Sequence, residues 1–293
     1  MRNRQHHFSI GQIDISLRSE CRSFVDEFAS LYGPYRCGAD SSESIRVEVR
    51  ARHRYPWRRG PYTIANEDVH GFEVRHRHEV LPHLEWFINW QVIRQRQEYL
   101  QLHAATLEIG GQALVLPGNP GCGKSTLTAG LLARGWSYLC DEFALIDPKT
   151  LELQLFPRAL CIKEPSFGAV DRLGLPLCRK TSYQKAAKGR VAFLNPLDVR
   201  PDVRGRPSRV RWVVFPQYVD GATPSLARLT KSKAAYDLAR QCFNFRAQQE
   251  RALAVLAGVV RDAECYQLTA GEVESTCNLI ESRLLRQSSR KVG

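Results

Sequence analysis

One segment constrains this chain more than any other: Gly118, Asn119, Pro120, Gly121, Cys122, Gly123, Lys124, Ser125 and Thr126 in succession. It fits the pattern G-x-x-x-x-G-K-[ST]. The apolar run Ala113-Leu-Val-Leu116 precedes it and reads as a strand. Leu127–Arg134 follows with helical spacing, and Gly135 stops the helix. Strand, glycine turn and helix in that order form a cradle. Glycines let the backbone curl until successive N–H groups converge, and the positive end of the helix faces the same point. Such a cradle attracts phosphate. Lys124 is placed for the β- and γ-phosphates of ATP, and the Ser125 hydroxyl for Mg²⁺. Lys124 is also the first lysine of the chain, every earlier cation being arginine or histidine.

The 293 residues hold one large domain or two modest ones. No apolar run reaches the length of a membrane span, and the Arg- and His-rich N-terminus lacks the apolar core of a signal peptide. Nine cysteines occur singly, without C-x-x-C or Cys/His ligand spacing. Both features predict a reduced, cytoplasmic protein without structural zinc or disulfides. The net charge of +12 concentrates at Arg46–Arg59, around Tyr55 and Trp57, and from Arg179 to Arg211. Solvated faces, a mobile loop and attraction of ATP or an acidic partner account for it. No RNA-binding signature accompanies the charge, so nucleic acid is not the expected partner.

Residues 1–80 read as a small α/β region suited to selecting a partner: a strand over Phe8–Leu17, a helix over Glu20–Leu31, and strands at Ile45–Arg50 and Gly71–Arg75, with a break at Pro56, Gly60 and Pro61. Residues 81–293 read as the nucleotide domain. Leu81–Leu100 is predicted to be a helix buried between two layers. His103–Ile109 and Gln112–Leu116 flank Gly110-Gly111 as a hairpin, so the strand entering the glycine turn pairs antiparallel with its predecessor. A second hairpin is predicted at Phe143–Ile146 and Leu151–Phe156. Pro196–Ser208 reads as a mobile loop, Arg211–Phe215 as a buried strand, and the remainder as largely helical, with a short strand at Cys265–Leu268 and a frayed tail at Ser288–Gly293. There is no internal repeat.

Trp136–Cys140 reads as a strand that ends in Asp141-Glu142. An acid at a strand end beside a phosphate loop supplies a metal ligand or a base. Adjacent extended residues point to opposite sides, so the two carboxylates can serve different roles. His103 opens the hairpin. Its spacing leaves it at the phosphate end or a hairpin length away.

His103-Ala-Ala, the hairpin, Gly118–Thr126 and Asp141-Glu142, in that order, resemble the catalytic domain of HPr kinase/phosphorylase. Leu84-Glu-Trp86, Leu102-His-Ala-Ala105, Asp141-Glu-Phe143 and Pro157-Arg158 with Leu160–Lys163 resemble the group known as HprK-related kinase A. The resemblance covers residues 80–165. It implies a phosphoenolpyruvate-carboxykinase-like α/β fold, with a mixed, partly antiparallel sheet around a P-loop. It further implies that Asp141 is the base that accepts a serine proton, that His103 supports it, that Lys124 contacts phosphate, and that Ser125 and Glu142 hold Mg²⁺. Where the family has a glutamate before an Arg-Gly-Leu-Gly loop, this chain has Leu160-Cys-Ile-Lys-Glu-Pro-Ser-Phe167. Neither a phosphorylase reaction nor HPr as acceptor is therefore carried over. Lys163 or Arg158 is left as a phosphate contact, Glu164 as a metal ligand and Arg190 as a charge-stabilising residue.

The expected function is that of an ATP-dependent serine kinase acting on a protein or peptide. The alternatives are a kinase of free serine or another small molecule, a non-catalytic ATP-binding regulator, and an RNA-binding ATPase. A second copy of the chain is left open as a partner.

Overall fold

The computed structural model describes residues 4–38, 41–55, 58–186 and 189–288. Trp57, Lys188 and residues 289–293 of the tail lie outside the described residues. The chain is α/β with mixed sheets and divides into two compact units. The first comprises residues 1–96, 161–165 and 177–195; the second holds the rest.

The first unit opens with strands β1 (Arg4–Ile10) and β2 (Ile13–Ser19), helix α1 (Arg22–Tyr32), and strands β3 (Arg36–Cys37), β4 (Ile45–Tyr55), β5 (Arg58–Ala65) and β6 (His70–Val74), followed by helix α2 (Arg77–Gln95). The strands form a sheet in the order β3-β1-β2-β4-β5-β6. The alternation expected to be one strand over Phe8–Leu17 is instead a hairpin. Ile10 pairs with Ile13 across a two-residue turn at Gly11-Gln12, and both bury on the core face. Of the residues expected to break the chain, Gly60 and Pro61 lie instead in strand β5, paired antiparallel with β4 and β6, and Pro56 lies outside the described residues. Phe24, Phe28, Leu31 and Tyr32 line the inner face of α1, and Phe28 meets Phe8 edge-on with ring centroids 5.0 Å apart. The buried Glu85 carboxylate accepts a 2.8 Å hydrogen bond from the Tyr32 hydroxyl.

Helix α2 starts at a capping box, His76 with Glu79. It packs on β4, β5 and β6, which is why the first unit extends to Arg96 rather than ending at residue 80. Trp86 and Trp90 are exposed on its outer side, with Phe72 stacked on Trp86. Gly71 lets β6 approach this helix: a Cβ there would lie 2.4 Å from the Phe87 ring and 2.5 Å from the Ile64 carbonyl oxygen. Gly71→Ala is expected to destabilise the protein by about 1–3 kcal/mol through overpacking. An unchanged urea midpoint would contradict this packing.

The second unit begins with strands β7 (Leu100–Ile109) and β8 (Gln112–Pro117), helix α3 (Lys124–Ala133), and strands β9 (Ser137–Cys140), β10 (Phe143–Ile146) and β11 (Glu152–Gln154). In sequence, the chain passes into the first unit at Cys161, within β12 (Leu160–Lys163), returns to the second for α4 (Phe167–Arg172), and re-enters the first for β13 (Cys178–Gln184) and β14 (Arg190–Leu194). These three strands make a sheet ordered β12-β14-β13, and β13 packs on α2, which thus touches strands of two sheets, while Trp86 and Trp90, expected to be buried with the rest of the helix, are exposed.

The second unit resumes with α5 (Pro196–Val199), β15 (Ser208–Tyr218), β16 (Ser225–Arg228), α6 (Lys231–Arg240), α7 (Phe245–Gln248), α8 (Glu250–Asp262), β17 (Glu264–Ala270) and α9 (Val273–Ser288). Its sheet runs β11-β10-β7-β8-β15-β17-β16, with β9 also on β7. Strand β8 has an antiparallel neighbour, β7, and a parallel one, β15, which is itself parallel to β17. The carboxyl ends of β8, β15 and β17 therefore share one edge, where α/β sheets bind ligands. Pro196–Ser208, expected to be a mobile loop, is tied down. Val203 is buried, its carbonyl accepts from Tyr138 N–H at 2.6 Å, and Gly205 N–H donates to the Tyr138 carbonyl at 2.9 Å. The backbone needs of β9 fix a segment whose composition alone reads as loop. No helix among the described residues is long and apolar enough to cross a membrane.

Candidate functional site

The site forms within the second unit where β8 gives way to α3. Gly121 and Gly123 take φ of 96° and 97°, a left-handed backbone that side chains disfavour, and Gly123 is the N-cap of α3. The turn is pinned on both flanks. Gly118 N–H donates to the His103 carbonyl at 3.3 Å, and Tyr218 N–H donates to the Cys122 carbonyl at 3.2 Å. Lys124 is buried, and its Nζ spans the turn, 2.6 Å from the Gly118 carbonyl oxygen and 3.2 Å from that of Asn119. The first turn of α3 and a lysine ammonium thus meet at the glycine turn. Gly123→Ala is expected to cost about 1–2 kcal/mol for the left-handed backbone and to weaken ATP binding as the turn opens. Calorimetric titration beside thermal melts checks both effects.

The strand register brings the acids beside this turn. Strands β9 and β10 pair with opposite ends of β7: Cys140 lies opposite Thr106, and Phe143 opposite His103. Asp141-Glu142 therefore crosses β7 at Ala104-Ala105, whose other neighbours are Pro117 and Leu116 at the mouth of the turn. Two alanines in this place leave room for carboxylates. The Ser125 hydroxyl donates to Asp141 Oδ2 at 2.7 Å, while Asp141 Oδ1 is buried without a hydrogen-bond partner. His103 Nε2 lies 3.5 Å from Glu142 Oε2, an ion pair when the imidazole is protonated. The two ends of His103 are thus tied to the site, its backbone to Gly118 and its ring to Glu142. Of the two places that its spacing left open, it occupies the one beside the turn.

Burial pushes the Asp141 carboxyl up to about 7, and the neighbouring charge of Glu142 pushes the same way. The Ser125 hydrogen bond and the positive charges of Lys124 and Arg158 oppose the rise. An unpartnered buried carboxylate oxygen accepts either a proton or a cation. Among the described residues no group of three His, Cys, Asp or Glu side chains forms a metal cluster. A site made of a serine hydroxyl and carboxylates suits Mg²⁺, which keeps water and substrate phosphates in its coordination shell. Ser125 and the acidic pair fit that ion.

Three features of the site escaped sequence reasoning. Gln241 accepts from His103 N–H through its carbonyl at 2.8 Å and donates through Nε2 to Asn119 Oδ1 at 3.3 Å. Phe243 is exposed beside His103, with ring centroids 5.6 Å apart. Tyr218 stands against the turn, 3.4 Å from where a Gly123 Cβ would sit, with its ring exposed. Arg158, read as a phosphate contact, is buried, and its guanidinium lies over the Phe156 ring at 5.2 Å. Glu164, Lys163 and Arg190 belong to the first unit, where Arg190 pairs with Glu164 at 2.6 Å. No protein-family model matches the chain, and no curated protein matches it.

Proposed function

We propose that the chain is an ATP-dependent kinase of the P-loop, HPr-kinase-like type, which transfers the γ-phosphate to a serine hydroxyl of a protein or peptide. The observation that carries this reading is the 2.7 Å contact between Ser125 and Asp141, with the second Asp141 oxygen buried and unpartnered beside the glycine turn. A P-loop that only binds or hydrolyses a nucleotide also places an acid beside its loop serine, to hold Mg²⁺. Transfer to a hydroxyl needs a further carboxylate to receive the acceptor proton, and the adjacent Asp141 and Glu142 supply both.

In this reading the backbone N–H groups of the turn and of the first turn of α3 hold the triphosphate. Lys124 leaves the carbonyls of Gly118 and Asn119 for the β- and γ-oxygens. Ser125 and Glu142 would hold Mg²⁺, which when bound would neutralise charge on the transferring group. The acceptor oxygen attacks phosphorus, its proton passes to Asp141 Oδ1, and the bond to the β-phosphate oxygen breaks to release ADP. His103 fixes Glu142, and so the orientation of the pair. Placement and electrostatics do most of the work, as is general for phosphoryl transfer.

The test is transfer of γ-label from ATP in a lysate of the source organism and, separately, to free serine, each beside Asp141→Asn. Label on a protein serine, lost in the variant, supports the reading. Label on free serine alone moves the acceptor to a small molecule. ATP bound with no label moved to any acceptor leaves a regulator and contradicts the proposal.

A further inference from the structure

None of the residues around the glycine turn contributes to a concavity elsewhere in the same unit, an open groove of 630 Å³ between α8 and the β10–β11 turn. Arg251, Ala254, Gly258 and Arg261 lie along it at helical spacing, Leu151 faces them, and Lys149 stands on the turn. The buried side of α8 comprises Ala252, Val255, Leu256, Gly258, Val259 and Val260, and Val255 and Gly258 reach the groove from its edge. Arg251, Ala254, Ala257 and Arg261 are exposed and form its open side. Leu151 packs directly on Gly258, where a Cβ would meet its Cδ1 at 2.8 Å.

The opposite wall is held in an unfavourable backbone. Leu151 has φ of 59°, which costs a bulky residue on the order of 1–3 kcal/mol. It is locked there by its N–H donating to the Asp147 carbonyl at 2.8 Å, and by Asp147 Oδ1 accepting from Lys149 N–H at 2.7 Å.

The rim is cationic. Among the described residues no carboxylate pairs with Lys149 or Arg251. The Arg251 guanidinium donates to Gln248 Oε1 at 3.3 Å and to the Glu98 carbonyl at 3.2 Å, neutral acceptors that aim it without cancelling its charge. Arg261 meets only its exposed neighbour Asp262, at 3.2 Å. Ten residues of helix separate Arg251 from Arg261 by about 15 Å, the span of about five residues of extended chain. The lining contains no aromatic ring, so bases would find no stacking platform, whereas an aliphatic side chain would find Leu151 and the alanines.

We propose that this groove docks an acidic peptide segment of a partner protein. An apolar side chain of the segment rests on Ala254, Ala257 and the half-buried Leu151, and flanking carboxylates about five residues apart meet Arg251 and Arg261. The rim charges set orientation and encounter rate, and the apolar anchor sets residence. The proposal does not depend on the chemistry at Asp141.

Selection from a random ten-residue peptide library on the whole protein, with counter-selection on the double variant Arg251→Glu/Arg261→Glu, tests it. Recovered peptides are expected to carry acids on both sides of a branched apolar residue. A recovered peptide should bind the double variant about ten-fold or more weakly while melting temperature and ATP affinity hold. Lys149→Glu, on an exposed turn, gives the same readout if the double variant does not fold. No enrichment, acid-free winners, or equal affinity for the variants overturns the proposal. So does a single-stranded RNA oligomer that binds through these residues and is not displaced by the peptide.

Discussion

Asp141→Asn is expected to keep ATP binding, to lose phosphoryl transfer by about 10²–10⁴-fold, and to melt above the wild type at pH 8. On the proposed reading, the loss of transfer follows from removing the buried, unpartnered Asp141 oxygen that takes the acceptor proton. The gain in stability follows from the same burial. The carboxyl titrates at about 7 in the folded protein, against an ordinary value of 3.8. Between those values the native state holds a proton that the unfolded chain has released, so its contribution to stability is present at low pH and is lost as pH rises through 7. A displacement of this size corresponds to roughly 4 kcal/mol at most. Asparagine does not titrate, but its amide N–H leaves an unmet donor costing about 1–3 kcal/mol at every pH. The difference between the two proteins should therefore move in favour of the variant by a few kcal/mol (~3) from pH 5 to pH 8. Melts at both pH values measure it, and parallel pH profiles for the two proteins would refute the buried carboxyl. In the wild type, kcat/KM should rise ten-fold per pH unit below about 7 and then level, because the base must be ionised.

Lys124→Ala should lower ATP affinity and turnover together. The ammonium is buried, and two loop carbonyls accept its hydrogen bonds. Removing it takes away a charge-assisted contact to phosphate worth about 1.5–3 kcal/mol, or about 10–150-fold in affinity. It also removes the strut between the two ends of the turn. Turnover should fall further than affinity, since negative charge on the transferring group is countered by the same ammonium. Lys124→Arg should not rescue either property: the guanidinium fork is wider than the space that three donors on a point charge fill. Calorimetry with ATP and initial rates with saturating acceptor separate the two effects. Equal affinity and equal rate would remove Lys124 from the phosphate site.

The parts of the site that local chemistry dictates were legible in the sequence. The Gly118–Thr126 spacing needs no long-range information, and Gly110-Gly111 between apolar runs declares the β7–β8 hairpin. The ends of β9 and β10 flank Asp141-Glu142 as their composition suggests. What could not be read is what strand pairing decides. The turn at Gly11-Gln12 hides in an unbroken alternation, because Ile10 and Ile13 face the same core across two residues. Strand β5 carries Gly60 and Pro61, which locally argue against a strand, yet β4 and β6 flank it. Pro196–Ser208 is composed like a loop and is ordered by hydrogen bonds to β9. Gln241 and Phe243 reach the site only because their backbone pairs with β7, more than 100 residues earlier: Phe243 N–H donates to the Gln101 carbonyl at 2.9 Å. Nothing in their own neighbourhood marks them. Helix α2 was legible as a buried helix, but its place in the first unit depends on strands on both sides of it in sequence.

The central claim is spatial: the curled turn, the Ser125 hydroxyl and the acidic pair serve one triphosphate. Diffraction from crystals grown with Mn²⁺ and a non-hydrolysable ATP analogue tests it most directly, because the metal announces itself by anomalous scattering. The account predicts a manganese peak at Ser125 Oγ and the Glu142 carboxylate, beside Asp141, with the triphosphate wrapped by residues 118–125. A triphosphate bound elsewhere, or a metal peak remote from both carboxylates, would contradict it.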